Sequence, residues 1–231
     1  MRSIHKSLLS IAVTITLISS STLVSAQDTS LAEVKAAFAK ADVPEDAHIT
    51  FEPNTLLEVA FPQASGRPVL VNAGKQLQQP QTAIPPRFGI KSPTASQLHQ
   101  TFVVSMIDLD APTPQNPNVS QIRHFLGSNF HIDTESARAN RLSERFGVGM
   151  LVNSTEALSG FLQPTPPAGS DPHRYVFLLF EQPAGFNEKV GQFVNASTPI
   201  TDFSIATFAK QVGLGNPLGG SFMLVGPGPN A

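Results

Sequence analysis

The stretch Tyr175-Val176-Phe177-Leu178-Leu179-Phe180 constrains the fold more than any other part of the chain. It lacks the polar alternation of a strand with one face in water, so it predicts a central strand covered on both faces. Other apolar runs rich in β-branched and aromatic residues predict strands at Leu56 to Phe61, Val69 to Val71, Phe102 to Ile107, Ile122 to Phe130 and Phe222 to Val225. Pro and Gly punctuate the gaps, so Ala111 to Pro117 and Gln163 to Pro172 read as loops. Two short helices complete the pattern. Leu31, Val34, Phe38 and Ala41 recur at helical spacing before Pro44, and Thr201-Asp202 offers an N-cap ahead of Phe203, Ile205 and Phe208, with Gly213 as the stop.

At 231 residues, 41% apolar and 14% charged, the composition is that of one globular domain and excludes a disordered chain. There is no cysteine, so disulfides and thiolate metal sites are excluded and the fold must rest on its core. The chain begins Met1-Arg2-Ser3-Ile4-His5-Lys6, continues with an apolar core from Leu8 to Ile18, and reaches the small-residue site Val24-Ser25-Ala26. This reads as a signal peptide, 1–26, leaving a single domain, 27–231, in the secretory lumen or outside the cell. The apolar run is shorter than the ~20 residues that span a bilayer, so no transmembrane segment is expected. Losing Arg2 and Lys6 takes the 15 Lys and Arg to 13 against 17 Asp and Glu, and the formal charge from −2 to −4. Nucleic acid is therefore not an expected partner. Asn118, Asn153 and Asn195 each head a glycosylation sequon, relevant in a eukaryotic secretory route.

Common catalytic signatures are missing. There is no Gly-x-Ser-x-Gly and no His-Glu-x-x-His, and Gly213 to Gly220 lacks a P-loop lysine. What remains is polar residues where strands meet loops. Asp108-Leu109-Asp110-Ala111-Pro112 follows a predicted strand and, taken alone, reads as turn chemistry. His124 alternates with Ile122 and Leu126, which places its imidazole on their apolar side. Asp171-Pro172-His173-Arg174-Tyr175 enters the central strand, and Tyr175 is the only tyrosine beside 16 phenylalanines, a contrast that calls for a hydroxyl partner. His124, His173 and Asp108 together are also a chemically feasible divalent-metal set.

In order and spacing, Asp108-Leu109-Asp110-Ala111-Pro112, His124-Phe125-Leu126 with Asn129, Pro166-Pro167-Ala168-Gly169, His173-Arg174-Tyr175 and Glu181-Gln182 resemble the phosphatidylethanolamine-binding protein family. The resemblance is close over Phe102 to Gln182 and looser as far as the last strand. It implies a mainly β (α+β) fold with a large central antiparallel sheet, a smaller second sheet and a few short peripheral helices. It also implies a pocket for a small anionic ligand such as phosphate or a phospholipid headgroup, formed by Asp108, His124, Pro167, His173 and Tyr175. Asp110 and Arg174 would support it as a buried ion pair, with no metal or other cofactor. The chain departs from the family pattern at Leu109, where proline is usual, at Arg123, where animal members often have histidine, and at Gln163 and Thr165, which replace glycines. The signal peptide is a further departure and matches exported fungal members.

Three functions follow from the resemblance. The first is a binding module for a small anion. The second is an accessory catalyst in fungal secondary metabolism, coupling maleic-anhydride monomers into nonadrides beside partner enzymes of the pathway. There His124 or His173 would act as general acid or base and Asp108 as the group that orients them. The third is a serine carboxypeptidase inhibitor, although Gln27 to Ser30 gives no recognisable inhibitory segment.

Overall fold

The computed structural model describes residues 28–136 and 147–228; the expected signal segment lies outside them. Among these residues nine strands form the frame: β1 (Leu56–Phe61), β2 (Val69–Leu70), β3 (Lys75–Leu77), β4 (Arg87–Lys91), β5 (Phe102–Asp108), β6 (Ile122–Ile132), β7 (Val148–Asn153), β8 (His173–Glu181) and β9 (Gly219–Val225). They hydrogen-bond in the order β2-β1-β4-β7-β6-β5-β8-β9-β3, antiparallel except for the pair β3 and β9.

The apolar run of β8 lies between β5 and β9, and each residue from Tyr175 to Phe180 is buried. Its two faces enter two cores. Tyr175, Phe177 and Leu179 pack with Leu57, Val59 and Phe61 of β1 and Phe88 and Ile90 of β4. Val176, Leu178 and Phe180 pack under the helices. Neither face meets water, which is why the strand can be apolar throughout.

Among the described residues four short helices cover the second face: α1 (Leu31–Lys40), α2 (Val43–Asp46), α3 (Phe186–Val190) and α4 (Ile205–Val212). In α1, the Ser30 hydroxyl accepts from the Glu33 N–H at 3.3 Å, and Val34 and Phe38 face the core. In α4, Ser204 caps by accepting from Thr207, so the helix starts later than the Thr201-Asp202 signal indicated. Gly213, at φ 81°, closes it in the left-handed region where glycine carries no Cβ penalty.

The sheet-dominated class holds, with one correction. The expected smaller second sheet is not separate, because β4 pairs with β7 and β7 pairs with the last residues of β6, so the ladder never breaks. The single sheet instead curls. The Asn54 and Thr55 N–H groups both donate to the Leu218 carbonyl, which brings the start of β1 against β9. Gly219 is required at that closure, since a Cβ there would stand 2.1 Å from the Thr55 carbonyl oxygen.

Candidate functional site

Asp108 ends β5 opposite Tyr175 of β8, so the two side chains share a face at one end of the sheet. The carboxylate serves turn and site at once. Its Oδ1 accepts the Asp110 N–H at 2.8 Å, the turn chemistry expected from the sequence, while Oδ2 lies 2.9 Å from His173 Nδ1. Both side chains are almost fully buried. On the far side of its ring, His173 Nε2 is 2.9 Å from the Ser170 hydroxyl.

His124 reaches the same place through a β-bulge. Met106 faces Phe125 and Ile107 faces Arg123, which leaves His124 as the extra residue of β6. The expectation that it shares a side with both Ile122 and Leu126 is corrected for that reason. Ile122 lines the cavity with it, whereas Leu126 packs into the helix-covered core. His124 Nδ1 lies 2.9 Å from the Leu162 carbonyl, which can only accept, so Nδ1 is assigned the proton. Nε2 then stands 4.0 Å from Asp108 Oδ2 with a lone pair. Burial pulls the His124 pKa below its ordinary value of 6.5, and the opposing pull of the Leu162 carbonyl and of Asp108 does not reverse it. The ring is therefore neutral at neutral pH.

The Tyr175 ring packs edge-on against His124 at 5.0 Å and stacks on His173 at 6.2 Å. Burial, then the charge and hydrogen bond of Asp108, push its ionisation upward, so the phenol stays protonated. Asp108 is the partner that a lone tyrosine among phenylalanines called for. Pro167, Pro112, Leu162 and Ile200 complete the wall of a cavity of about 240 Å³ that these polar groups line.

Asp110 and Arg174 lie outside this lining. Asp110 accepts from Arg174 Nη2 at 2.6 Å, from Nε at 3.0 Å and from the Arg174 backbone N–H at 2.6 Å. Arg174 Nη1 continues to the Ala41 carbonyl at 2.6 Å and to Asp46 at 2.7 Å. The ion pair thus ties the turn after β5 to the junction of α1 and α2.

Two participants carried no sequence signal, the Leu162 carbonyl and the Ser170 hydroxyl. A main-chain carbonyl has no residue type to read, and a serine in a Pro/Gly loop is commonplace. A larger cavity of about 510 Å³ opens elsewhere between β4, β6 and β7, lined by Phe88, Phe125, Phe130 and Met150 with no histidine. The sequon residues Asn118, Asn153 and Asn195 are all exposed. Among the described residues no group of three or more His, Cys, Asp or Glu is placed to hold a metal ion.

Residues 47–222 match the family described as phosphatidylethanolamine-binding protein. The chain belongs to this family. Relatives of this family member include the carboxypeptidase Y inhibitor of Saccharomyces cerevisiae, 28% identical over 145 residues, covering 59% of this chain and 66% of that one. The 26 kDa secreted antigen of Toxocara canis is 27% identical, covering 75% of this chain and 57% of the antigen. Phomoidride biosynthesis cluster protein N of Talaromyces stipitatus is 28% identical over 187 residues, covering 75% and 86%. The chain spans just under two thirds of the length of the inhibitor and less of the antigen. Among solved structures, the carboxypeptidase Y inhibitor complexed with its cognate proteinase superposes with a TM-score of 0.68 at 23% identity, over 85% of this chain and 96% of that one. The phosphatidylethanolamine-binding protein from Plasmodium vivax gives 0.62 at 16%, over 86% and 98%. At these identities the structural likeness speaks for the fold alone.

Proposed function

We propose that this family member is an exported binding protein for a small oxyanion, such as phosphate, a phospholipid headgroup or a dicarboxylate. The observation that carries the reading is the 240 Å³ cavity walled by buried Asp108, His124, His173 and Tyr175. Its size suits a headgroup and falls below that of drug-sized sites. Its donors are already engaged: His173 Nδ1 and the Tyr175 hydroxyl on Asp108, and His124 Nδ1 on Leu162. Acceptors remain, at His124 Nε2 and the Asp108 carboxylate. The favoured ligand therefore brings its own proton or ammonium group, as monobasic phosphate or phosphorylethanolamine does. A proton placed on His124 Nε2 converts that nitrogen into a charged donor for the anion oxygens. Titration calorimetry of the folded mature chain with phosphate and with phosphorylethanolamine tests this, heat with at least one being expected. No heat with either contradicts it. Export is tested by expressing the full-length chain in a eukaryotic secretory host, where the protein recovered from the medium should begin at Gln27.

A second reading, accessory catalysis, draws on the likeness to the Talaromyces cluster protein and on the neutral imidazole of His124, an available general base at neutral pH. Maleic-anhydride monomers incubated with the protein should then dimerise, and His124→Gln should stop them. The third reading, inhibition, draws on the Saccharomyces relative and is tested by assaying a serine carboxypeptidase with excess mature chain.

A further inference from the structure

Ser170 borders the site through His173, and binding leaves it unused. Its hydroxyl lies 2.9 Å from His173 Nε2, and the opposite nitrogen of that ring lies 2.9 Å from Asp108 Oδ2. A carboxylate can only accept, so His173 Nδ1 holds the proton, and in the neutral ring Nε2 is an acceptor for the serine O–H. The imidazole and the carboxylate are almost fully buried, while Ser170 is part-exposed on the loop ahead of β8. Asp108 is itself fixed by the Asp110 N–H. Nucleophile, base and orienting acid therefore follow one another at hydrogen-bond distance, an arrangement recognised by geometry and independent of the Gly-x-Ser-x-Gly motif that this chain lacks.

We infer that Ser170, His173 and Asp108 form a nucleophilic triad that takes an acyl group from short activated esters. The Ser170 hydroxyl has two acceptors, His173 Nε2 and the Asp171 carbonyl at 2.8 Å; rotation onto Nε2 is the reactive state. As the Oγ–carbon bond forms, the hydroxyl proton passes to Nε2, the carbon–oxygen bond of the ester breaks, and the leaving oxygen takes the electron pair and then the proton. Water attacks the acyl-serine with His173 taking its proton, the acid departs, and Ser170 recovers its hydrogen. The net change is ester plus water to acid plus alcohol. The Ser170 N–H is bonded to the Pro167 carbonyl at 3.1 Å and so does not serve a developing oxyanion. For that reason the substrate class is esters with a good leaving group, which need that stabilisation least.

The test is to incubate the intact mature protein with p-nitrophenyl acetate and, separately, with a fluorophosphonate probe, then locate the adduct by peptide mass mapping. Acetylation and phosphonylation at Ser170 are expected, with a burst of nitrophenolate that Ser170→Ala reduces at least tenfold and Ser170→Cys retains. No adduct on the wild type, an adduct elsewhere, or an unchanged burst in Ser170→Ala overturns the triad. Titration of the same samples with phosphate and with phosphorylethanolamine separates the two claims. Heat with either but no Ser170 adduct overturns the triad alone, and an adduct without heat from either overturns the binding reading alone.

Discussion

Asp108 and His173, 65 residues apart in sequence, meet at 2.9 Å because β5 and β8 are antiparallel neighbours whose ends coincide. That contact anchors everything else in the site. It fixes the His173 ring, shares its carboxylate with the Asp110 turn and with Tyr175, and faces the neutral His124 across 4.0 Å.

Replacing Asp108 by Ala leaves the His173 N–H, the Asp110 N–H and the Tyr175 hydroxyl without their acceptor in a buried site. Stability should fall by about 3 kcal/mol, measured by urea denaturation, with Asp108→Asn losing less. A midpoint equal to wild type would show that the network contributes nothing to folding.

Arg174→Met removes the side-chain counter-charge of Asp110, which is 1% exposed. The expected loss is about 3 kcal/mol. Adding Asp110→Asn should return part of it, a coupling of about 1–3 kcal/mol in a double-mutant cycle. Strict additivity would mean that the pair is not coupled.

His124 makes stability depend on pH. Burial lowers its pKa in the folded state, so as pH falls through the ordinary 6.5 the unfolded chain takes up a proton that the folded chain refuses. Its effect is absent well above 6.5, grows as pH falls below that value, and levels off beneath the depressed folded value. The urea midpoint of wild type relative to His124→Gln should therefore drop as pH falls through the ordinary 6.5, and saturating phosphate should reduce the drop if binding protonates Nε2. A difference independent of pH would place the proton elsewhere.

Gly219→Ala drives a methyl group into the Thr55 carbonyl where the sheet closes, and should lower stability by about 2 kcal/mol or more. Gly160→Ala meets nothing within 4 Å and should stay within about 0.5 kcal/mol of wild type. Thermal denaturation of the two side by side checks the closure.

Much of this architecture is legible in the chain. β1, β5, β8 and the body of β6 and β9 announce themselves because short apolar runs rich in β-branched and aromatic residues and bounded by turn residues read as buried strands. β4 and β7 do not, since Gly89 and Gly149 read as strand breakers. In the structure they allow close packing instead: a Cβ at Gly89 would lie 2.7 Å from Val148 of the paired strand. β3 is a polar edge strand and α3 spans too few residues to show a period. At the site, the order of Asp108, His124, Pro167, His173 and Tyr175 carried the resemblance, and the structure brings all five to one cavity. The bulge at His124 was not legible, because one extra residue leaves no periodic trace. The tautomer that Leu162 imposes was equally invisible.

The most direct measurement is a crystal structure of the mature chain grown with phosphate. An anion in the cavity within about 3 Å of His124 Nε2, beside Asp108 and Tyr175, is the predicted result. A folded protein whose cavity stays empty at saturating phosphate and again at saturating phosphorylethanolamine, or which holds the anion on another surface, would contradict the account.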